Sequence, residues 1–302
     1  MIRSPGRSIF LVLVTAFAFG LAFAGLALVR AHLQIRAIDP ALPEAASLPS
    51  TPTGGDGPTS MRVVNTATQG IAHPAYLLEW PDGRRFMIDA GMDREGAMAF
   101  GRPMELAFGA SPAVPHGDVA EQIGDAVESI VGVAFTHLHL DHTGGLIPVC
   151  RAAGREIALI QTRFQADELN YTTQSGADDI AEAGCTRQTV VDTAAPTEVP
   201  GFPGLYIFPA GGHTPGSTFF LATLSDHSWL FAGDISNSKP MMLGNEPKPW
   251  VYSNLIIPEA TERLDRLRRW LARVDAMPDR TVIVAHDLDA ALADGVVPWP
   301  AE

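Results

Sequence analysis

The sequence predicts an α/β fold preceded by a single apolar helix, and three observations carry that prediction. Runs such as Ile130-Val131-Gly132-Val133-Ala134-Phe135 and Thr281-Val282-Ile283-Val284-Ala285 are apolar and β-branched without polar alternation, as in strands covered on both faces. Segments at helical spacing lie between such runs: residues 119–127 follow Asp118 as an N-cap, and residues 259–274 alternate Leu264, Leu267 and Leu271 with charges, an amphipathic, solvated helix. Residues 9–29 carry no charge, a length sufficient to cross a bilayer core.

At 302 residues the chain can form one large domain or two small ones with an ample core. A composition of 46% hydrophobic and 18% charged residues excludes a disordered chain. The net charge of -13, with no basic stripe, argues against a nucleic-acid partner.

In chain order, residues 1–36 form the N-terminal segment, with Arg3 and Arg7 before the apolar run and Arg30 and Arg36 after it. Ala22-Phe23-Ala24 followed by Gly25 has the form of a signal-peptidase site, which would make the segment a removable signal. The run continues past that site to Val29, which favours a membrane anchor; the arginines on both sides leave its orientation open. Either reading puts the bulk of the chain outside the cytoplasm, on the periplasmic or extracellular side, anchored to the membrane or, after cleavage, secreted. Residues 37–60, with Pro40, Pro43, Pro52, Gly54, Gly55, Gly57 and Pro58, read as a linker. The globular domain is expected over residues 61–302.

Within it, residues 61–64 and 75–80 read as strands, the second closed by the hairpin turn Pro81-Asp82-Gly83, and residues 85–88 return as a third ending in Asp89-Ala90-Gly91. Residues 92–117 show no clean period, since Met98, Phe100, Met104, Leu106 and Phe108 are interspersed with glycine and proline. Such a loop covers the sheet or lines an apolar pocket. Residues 146–150 and 164–171 read as helices and residues 157–160 as a strand. Cys150 and Cys185 are the only thiols; an oxidising compartment permits a disulfide that the sequence alone does not establish, and the absence of a C-x-x-C pair argues against redox chemistry.

The chemistry concentrates in Phe135-Thr136-His137-Leu138-His139-Leu140-Asp141-His142-Thr143-Gly144-Gly145, directly after a strand. Continued extension would turn His137, His139 and Asp141 to one side, with His142 following as the chain bends at the glycines. A lone histidine beside a strand is more often structural. Three imidazoles and a carboxylate in H-x-H-x-D-H form a ligand set for a divalent transition metal. Three later strands end in the same way. Residues 205–210 run into Gly211-Gly212-His213, residues 228–232, after the turn Ser225-Asp226-His227, into Gly233-Asp234, and residues 281–285 into His286-Asp287.

Taken together these residues resemble the ligand pattern of the metallo-β-lactamase fold. The resemblance covers the chain from about Met61 to its end. It implies an αβ/βα four-layer sandwich, with mixed sheets backed by helices and the site at the edge where the sheets meet. It also implies one metal on His137, His139 and His213 and a second on Asp141, His142 and His286, with Asp234 bridging. Zinc is the default metal, and iron, manganese or cobalt also suit such a pair. Two cations sharing a hydroxide would keep it nucleophilic near neutral pH and polarise the bond attacked, with Asp141 holding the nucleophile and passing a proton to the leaving group. Asp89 reads either as a turn carboxylate or as a support beside the metals.

Pro74-Ala75-Tyr76-Leu77-Leu78-Glu79, Asp89-Ala90-Gly91 and the histidine motif are most similar to the acyl-homoserine lactonase branch. A cysteine-ligand β-lactamase would carry its thiol where Asp234 stands. The tyrosine that the lactonase branch carries shortly after the bridging aspartate is replaced by Ile235-Ser236-Asn237, and the nearest tyrosine is Tyr252. Met241, Met242, Leu243, Trp250, Val251 and Tyr252 form an apolar tract that caps the pocket or packs elsewhere. His32, His73, His116 and His227 have no partner legible in the sequence. The expected function is a membrane-tethered hydrolase of lactones or other carboxylic esters, acting on a small molecule with an apolar part. The alternatives are a thioesterase, β-lactamase or phosphodiesterase of the same fold, the last requiring cations at the mouth such as Lys239 and Lys248, or a metal-binding module without turnover.

Overall fold

The computed structural model describes residues 5–50, 56–225 and 227–299. Sequence expectations on Arg3, Pro52, Gly54, Gly55 and Asp226, and on the side chains of Met104 and Phe108, lie outside the described residues.

The chain opens with α1 (Pro5–Ala37), β1 (Ser60–Thr68), β2 (Ala72–Glu79), β3 (Arg85–Ile88), α2 (Arg94–Phe108), β4 (Val114–Pro115), α3 (Val119–Ile123) and β5 (Ile130–Ala134). Then come α4 (Leu140–Thr143), α5 (Leu146–Ala153), β6 (Ile157–Thr162), α6 (Arg163–Asp167), α7 (Gln174–Ala183) and β7 (Thr186–Val191). The second half holds β8 (Thr197–Glu198), β9 (Leu205–Pro209), β10 (Thr218–Leu224), β11 (His227–Phe231), α8 (Lys239–Leu243), α9 (Thr261–Asp275), β12 (Arg280–Ile283), α10 (Leu288–Ala293) and β13 (Val297–Pro298).

Two sheets result. One runs β13-β1-β2-β3-β5-β6-β7 with β4 paired to β1, and the other β12-β11-β10-β9-β8. In the first, β3, β5, β6 and β7 are parallel; in the second, β10 is antiparallel to both neighbours and β12 parallel to β11.

Side chains alternate across each strand, and the alternation builds the layers. From the first sheet Val63, Tyr76, Leu78, Phe86, Ile88 and Ile160 meet Leu205, Ile207, Phe220, Phe231 and Ile283 of the second. The intervening residues Val64, Leu77, Met87, Val133 and Leu159 face outward onto Val119 and Ile123 of α3 and Leu146 and Val149 of α5. On the far side Phe208, Phe219, Leu221 and Val282 pack against Leu264, Leu267, Trp270 and Leu271 of α9. Helices, sheet, sheet and helix therefore stack in four layers. Strands buried on both faces read as continuous apolar runs, which is what the sequence displays.

Several elements differ from the sequence expectation. Residues 94–108, expected as part of a loop, form the helix α2 with Pro103 inside it. Its glycines and proline hide the period, while buried Ala97 packs with Met92 and Ala67. The helix expected over 119–127 stops at Ile123, because Gly124 takes φ 56 and the chain continues as a 3-10 turn. The helix expected over 164–171 ends at Asp167. There Asn170 and Thr173 side chains bond nearby backbone N–H groups and stand in for the helical ladder. The face of α9 that bears Leu264, Leu267 and Leu271 is buried on the second sheet, and its charged face is the solvated one.

Residues 38–48 are not a free linker. Asp39 pairs with Arg263 (2.8 Å) and Arg266 (2.6 Å), Trp270 Nε1 donates to Pro43 O (2.7 Å), and Arg280 donates to Ala45 O and, at 2.7 Å, to Leu48 O. Buried Leu48 completes the contact, so this stretch is a strap across α9 and β12. A disulfide joins Cys150 on α5 to Cys185 ahead of β7, answering the pairing that the sequence left open. The helix α1 is apolar over Leu13–Ala37 and unburied along its most hydropathic window.

Candidate metal centre

The side chains singled out in the sequence converge at one end of the two sheets. β5 ends at Ala134, and Phe135 and Thr136 lead to His137 and His139. The extended alternation stops at His139, which caps α4, so Asp141 and His142 project from a helical turn and not from a continued strand. Gly145 has an ordinary φ; its role is close approach, since a Cβ there would lie 2.1 Å from Ala90 O. His213 follows β9 after Gly211 and Gly212, whose φ values of 65 and 90 suit glycine. Asp234 follows β11, and His286 follows β12.

Three ring nitrogens form the first group. His137 Nε2 lies 3.0 Å from His139 Nδ1, and His213 Nε2 lies 3.2 Å from the same atom. The outward nitrogens decide where the protons are. His213 Nδ1 is 2.6 Å from Glu259 Oε1, and an ionised carboxylate only accepts, so His213 carries its proton on Nδ1. His139 Nε2 meets Thr172 Oγ1 at 3.2 Å, and that hydroxyl already donates to Asn170 Oδ1 (2.8 Å). His137 Nδ1 meets Thr136 Oγ1 at 3.3 Å, which likewise donates to Asp89 Oδ2 (2.9 Å). Each imidazole thus spends its proton outward and turns a lone pair inward. Three lone pairs with no proton between them repel one another, and a cation resolves the repulsion.

The second group is carboxylate-rich. His286 Nε2 lies 3.1 Å from Asp234 Oδ2 and 3.4 Å from Asp141 Oδ2, and its Nδ1 donates to Ala72 O at 2.7 Å. His142 Nδ1 stands 3.0 Å from Asp89 Oδ2. On the other side of the ring, His142 Nε2 faces Asp234 Oδ1 at 3.5 Å, and both atoms are buried without a hydrogen bond among the described residues. Asp234 Oδ2 also lies 3.6 Å from His213 Nε2, so this carboxylate stands between the two groups.

Electrostatics agrees with this division. Burial drives His137 well below the usual imidazole range, aided by His142 and His139, and lowers His139 to about 3, aided by His213. His213 is lowered by burial and by the Lys248 ammonium. These three are neutral, the form that ligates metal. For His142 burial opposes charge, yet Asp89 and Asp141 outweigh it and raise the imidazole well above its usual range. Burial likewise opposes charge on His286, which Asp234 and Asp141 raise. Burial would also raise Asp141 and Asp234, yet His142 holds the first, and His286 the second, well below the usual carboxylate range. Buried anions of this density call for compensating positive charge, which a divalent cation supplies without protonating the rings. The donor set therefore fits metal ions.

Sequence reasoning missed four residues of this site or left their roles open. Asp89, with φ 57 at the end of β3, accepts from Thr136 N (2.7 Å) and backs His142. Glu259 accepts from Lys248 Nζ (2.8 Å) and Ser253 Oγ (2.5 Å) as well as from His213, and burial, which would raise it, is overcome by Lys248 and His213, so that it is held at about 2. Lys248 also donates to Asp234 O (2.7 Å). His73 Nδ1 lies 3.3 Å from Asp141 Oδ2, and its ring packs edge-on to His286 and Phe100. The Asp-x-Gly pattern pointed to Asp89; nothing local marks the other three. The remaining histidines lie elsewhere: His32 meets Asn254 O, His116 meets Thr68 Oγ1, and His227 meets Thr281 Oγ1. A cavity of about 420 Å3 between Ile71, Asn237, Met241 and Asp287 reaches His286.

Solved structures with this fold include an N-acyl homoserine lactone hydrolase with the product N-hexanoyl-L-homoserine bound at its catalytic metal centre. It has a TM-score of 0.55 and 16% identity over 80% of this chain and 97% of that one. A quorum-quenching N-acyl homoserine lactone lactonase has a TM-score of 0.57 and 16% identity over 82% and 99%. A probable metal-dependent hydrolase from Staphylococcus aureus has a TM-score of 0.53 and 14% identity over 77% and 90%. No curated protein matches the chain in sequence. The sequence profile of the metallo-beta-lactamase superfamily matches residues 69–286, the span that holds every convergent side chain described above, and the chain belongs to that superfamily.

Proposed function

We propose that this hydrolase is anchored to a membrane by α1, holds two divalent cations, and opens a lactone or another carboxylic ester outside the cytoplasm. His137, His139 and His213 would hold one ion, Asp141, His142 and His286 the other, with Asp234 shared. The observation that carries the reading is the inward convergence of the His137, His139 and His213 lone pairs, each outward nitrogen having its own acceptor. Zinc suits the nitrogen-rich set, and iron, manganese or cobalt suit the carboxylate-rich one. Bound there, such ions lower the pKa of water and polarise a carbonyl.

The chain's own groups supply the rest. Asp141 accepts the proton of the attacking water and returns it to the leaving alkoxide, held in place by His73 and His286. Tyr252 keeps its phenolic proton, because burial and the charges of Asp234 and Glu259 raise its pKa, and so it can donate to the substrate carbonyl in place of the tyrosine that the lactonase branch carries nearer the aspartate. Lys248 is spent on Glu259 and Asp234 O, and Lys239 on Asp275 and Asp294 (2.7 Å each), so neither is left to receive a phosphodiester. The product-bound N-acyl homoserine lactone hydrolase supports the substrate class by likeness of fold. The apolar, unburied α1 supports the anchor, and the Cys150–Cys185 disulfide supports an oxidising compartment.

The test is a panel of lactones and phosphodiesters, with and without chelator, beside metal analysis. Chelator-sensitive lactone opening with two ions per chain is the expected result. Turnover of the phosphodiesters alone would overturn the substrate class, and a fully loaded protein without turnover would leave a metal-binding module.

A further inference from the structure

Trp250, Val251, Leu255 and Ile256 are exposed, on the π-helical turn Tyr252–Ile256 and the residues leading into it. Clustered surface apolar side chains mark an interaction site. The stretch adjoins the metal centre on one side, for Ser253 Oγ bonds Glu259, the partner of His213, and the ammonium of Lys248 lies 5.2 Å from the Tyr252 ring centroid.

On its other side the stretch adjoins the end of α1. His32 Nε2 lies 3.1 Å from Asn254 O. Gln34 Nε2 donates to Glu168 Oε2 (2.9 Å) and Leu169 O (3.2 Å), at the start of the loop that carries exposed Tyr171 and the Thr172 bonded to His139. Ala31 and Ile35 are buried, while Val29 and Leu33 remain exposed. One end of the apolar helix thus stands between the two segments that rim the metal centre.

Length fixes the depth. Residues 9–29 rise about 1.5 Å each and so span roughly 30 Å, the thickness of a hydrocarbon core. His32 lies about 5 Å beyond Val29 along that axis, inside the interfacial layer of roughly 5–7 Å on each side. Tryptophan and tyrosine favour that layer, where one end of the ring is apolar and the other wet.

We propose that residues 250–256 lie in the interfacial layer of the bilayer that α1 enters, so that the metal centre opens at a lipid surface. This rests on the reading of α1 as an anchor. The full chain is reconstituted into phosphatidylcholine vesicles carrying lipids brominated near the carbonyl end of the acyl chain, and tryptophan emission is compared with that of Trp250→Phe. Trp80, Trp229 and Trp270 are buried, and Trp299 lies beside Arg62 and Arg85, so the difference isolates Trp250. The expected result is loss of most of the Trp250 component to brominated lipid, with aqueous iodide leaving it intact. Vesicle flotation with Trp250 quenched by iodide alone would overturn the inference while the anchor stands. Flotation with Trp250 shielded from both quenchers would assign the patch to a second copy and also overturn it. Failure to float would remove anchor and inference together.

Discussion

The two sheets deliver their side chains to the candidate metal centre by different means. The first sheet's motif gives His137, His139, Asp141 and His142 from one run of chain, shaped by the end of β5 and the turn of α4. The second gives His213, Asp234 and His286 singly, one from the end of each of three strands. A contiguous run carries its relative geometry in local backbone and in the adjacent Thr136, although His139, His142 and Asp141 also meet Thr172, Asp89 and His73 from elsewhere in the chain. Dispersed donors depend on distant partners: His213 is oriented by Glu259 and His286 by Ala72 O, 46 and 214 positions away. The difference predicts where each half is fragile.

The largest effect on metal content belongs to the candidate ligands. His139→Ala should reduce bound metal below two per chain and lower the melting temperature, since metal held only by the folded state contributes about 2.7 kcal/mol at a hundredfold excess over Kd. Metal analysis with calorimetry reads both, and a variant that keeps two ions would break the assignment. His286→Ala sharpens the comparison by leaving the three-nitrogen group intact, so about one ion per chain should remain.

Next comes the distant support. Glu259→Gln leaves the buried Lys248 ammonium without its anion, and breaking such a pair costs about 3–5 kcal/mol. Denaturant unfolding should register that loss, and Lys248→Met in the same chain should recover part of it. An additive double variant would mean the two groups are not coupled. Asp89→Asn is milder: the amide oxygen can still accept from Thr136 N, while His142 Nδ1 loses its carboxylate. About 1–3 kcal/mol and a 10–100-fold weaker metal affinity are expected, measured by unfolding and by competition with a chelator. A fall larger than that of Glu259→Gln would reverse the ordering of these two supports. Smallest is Asp39→Ala, which removes a half-exposed partner of Arg263 and Arg266 and should cost no more than about 1 kcal/mol.

The same contrast explains what could be read from the sequence. Residues 137–142 announce themselves because ligand spacing within a run is local information, and His213, Asp234 and His286 because each stands directly after a strand legible from its apolar residues. The alternation extrapolated past His139 failed, since the chain turns into α4 one residue later. The roles of Glu259, Lys248 and His73 are not legible in the sequence. Each is an ordinary polar residue whose role exists only through a group that folding brings to it, 11 positions away for Lys248 and Glu259 and 46 for Glu259 and His213, and burial of a charge is decided by tertiary packing. Residues 94–108 misled for the opposite reason: Pro103 is a strong local signal for a break that the helix overrides. The strap over residues 38–48 reads as a linker in the sequence because proline and glycine describe stiffness and reach, not what main-chain carbonyls will meet.

That strap limits how the catalytic body can move. Fastened to Arg263, Arg266, Trp270 and Arg280 directly beyond α1, it removes the swivel that a loose stalk would allow. With α1 held in a bilayer, the protein would sweep a thin sheet of space at constant tilt, and its output would grow with the area of membrane it occupies, not with the volume of fluid around it.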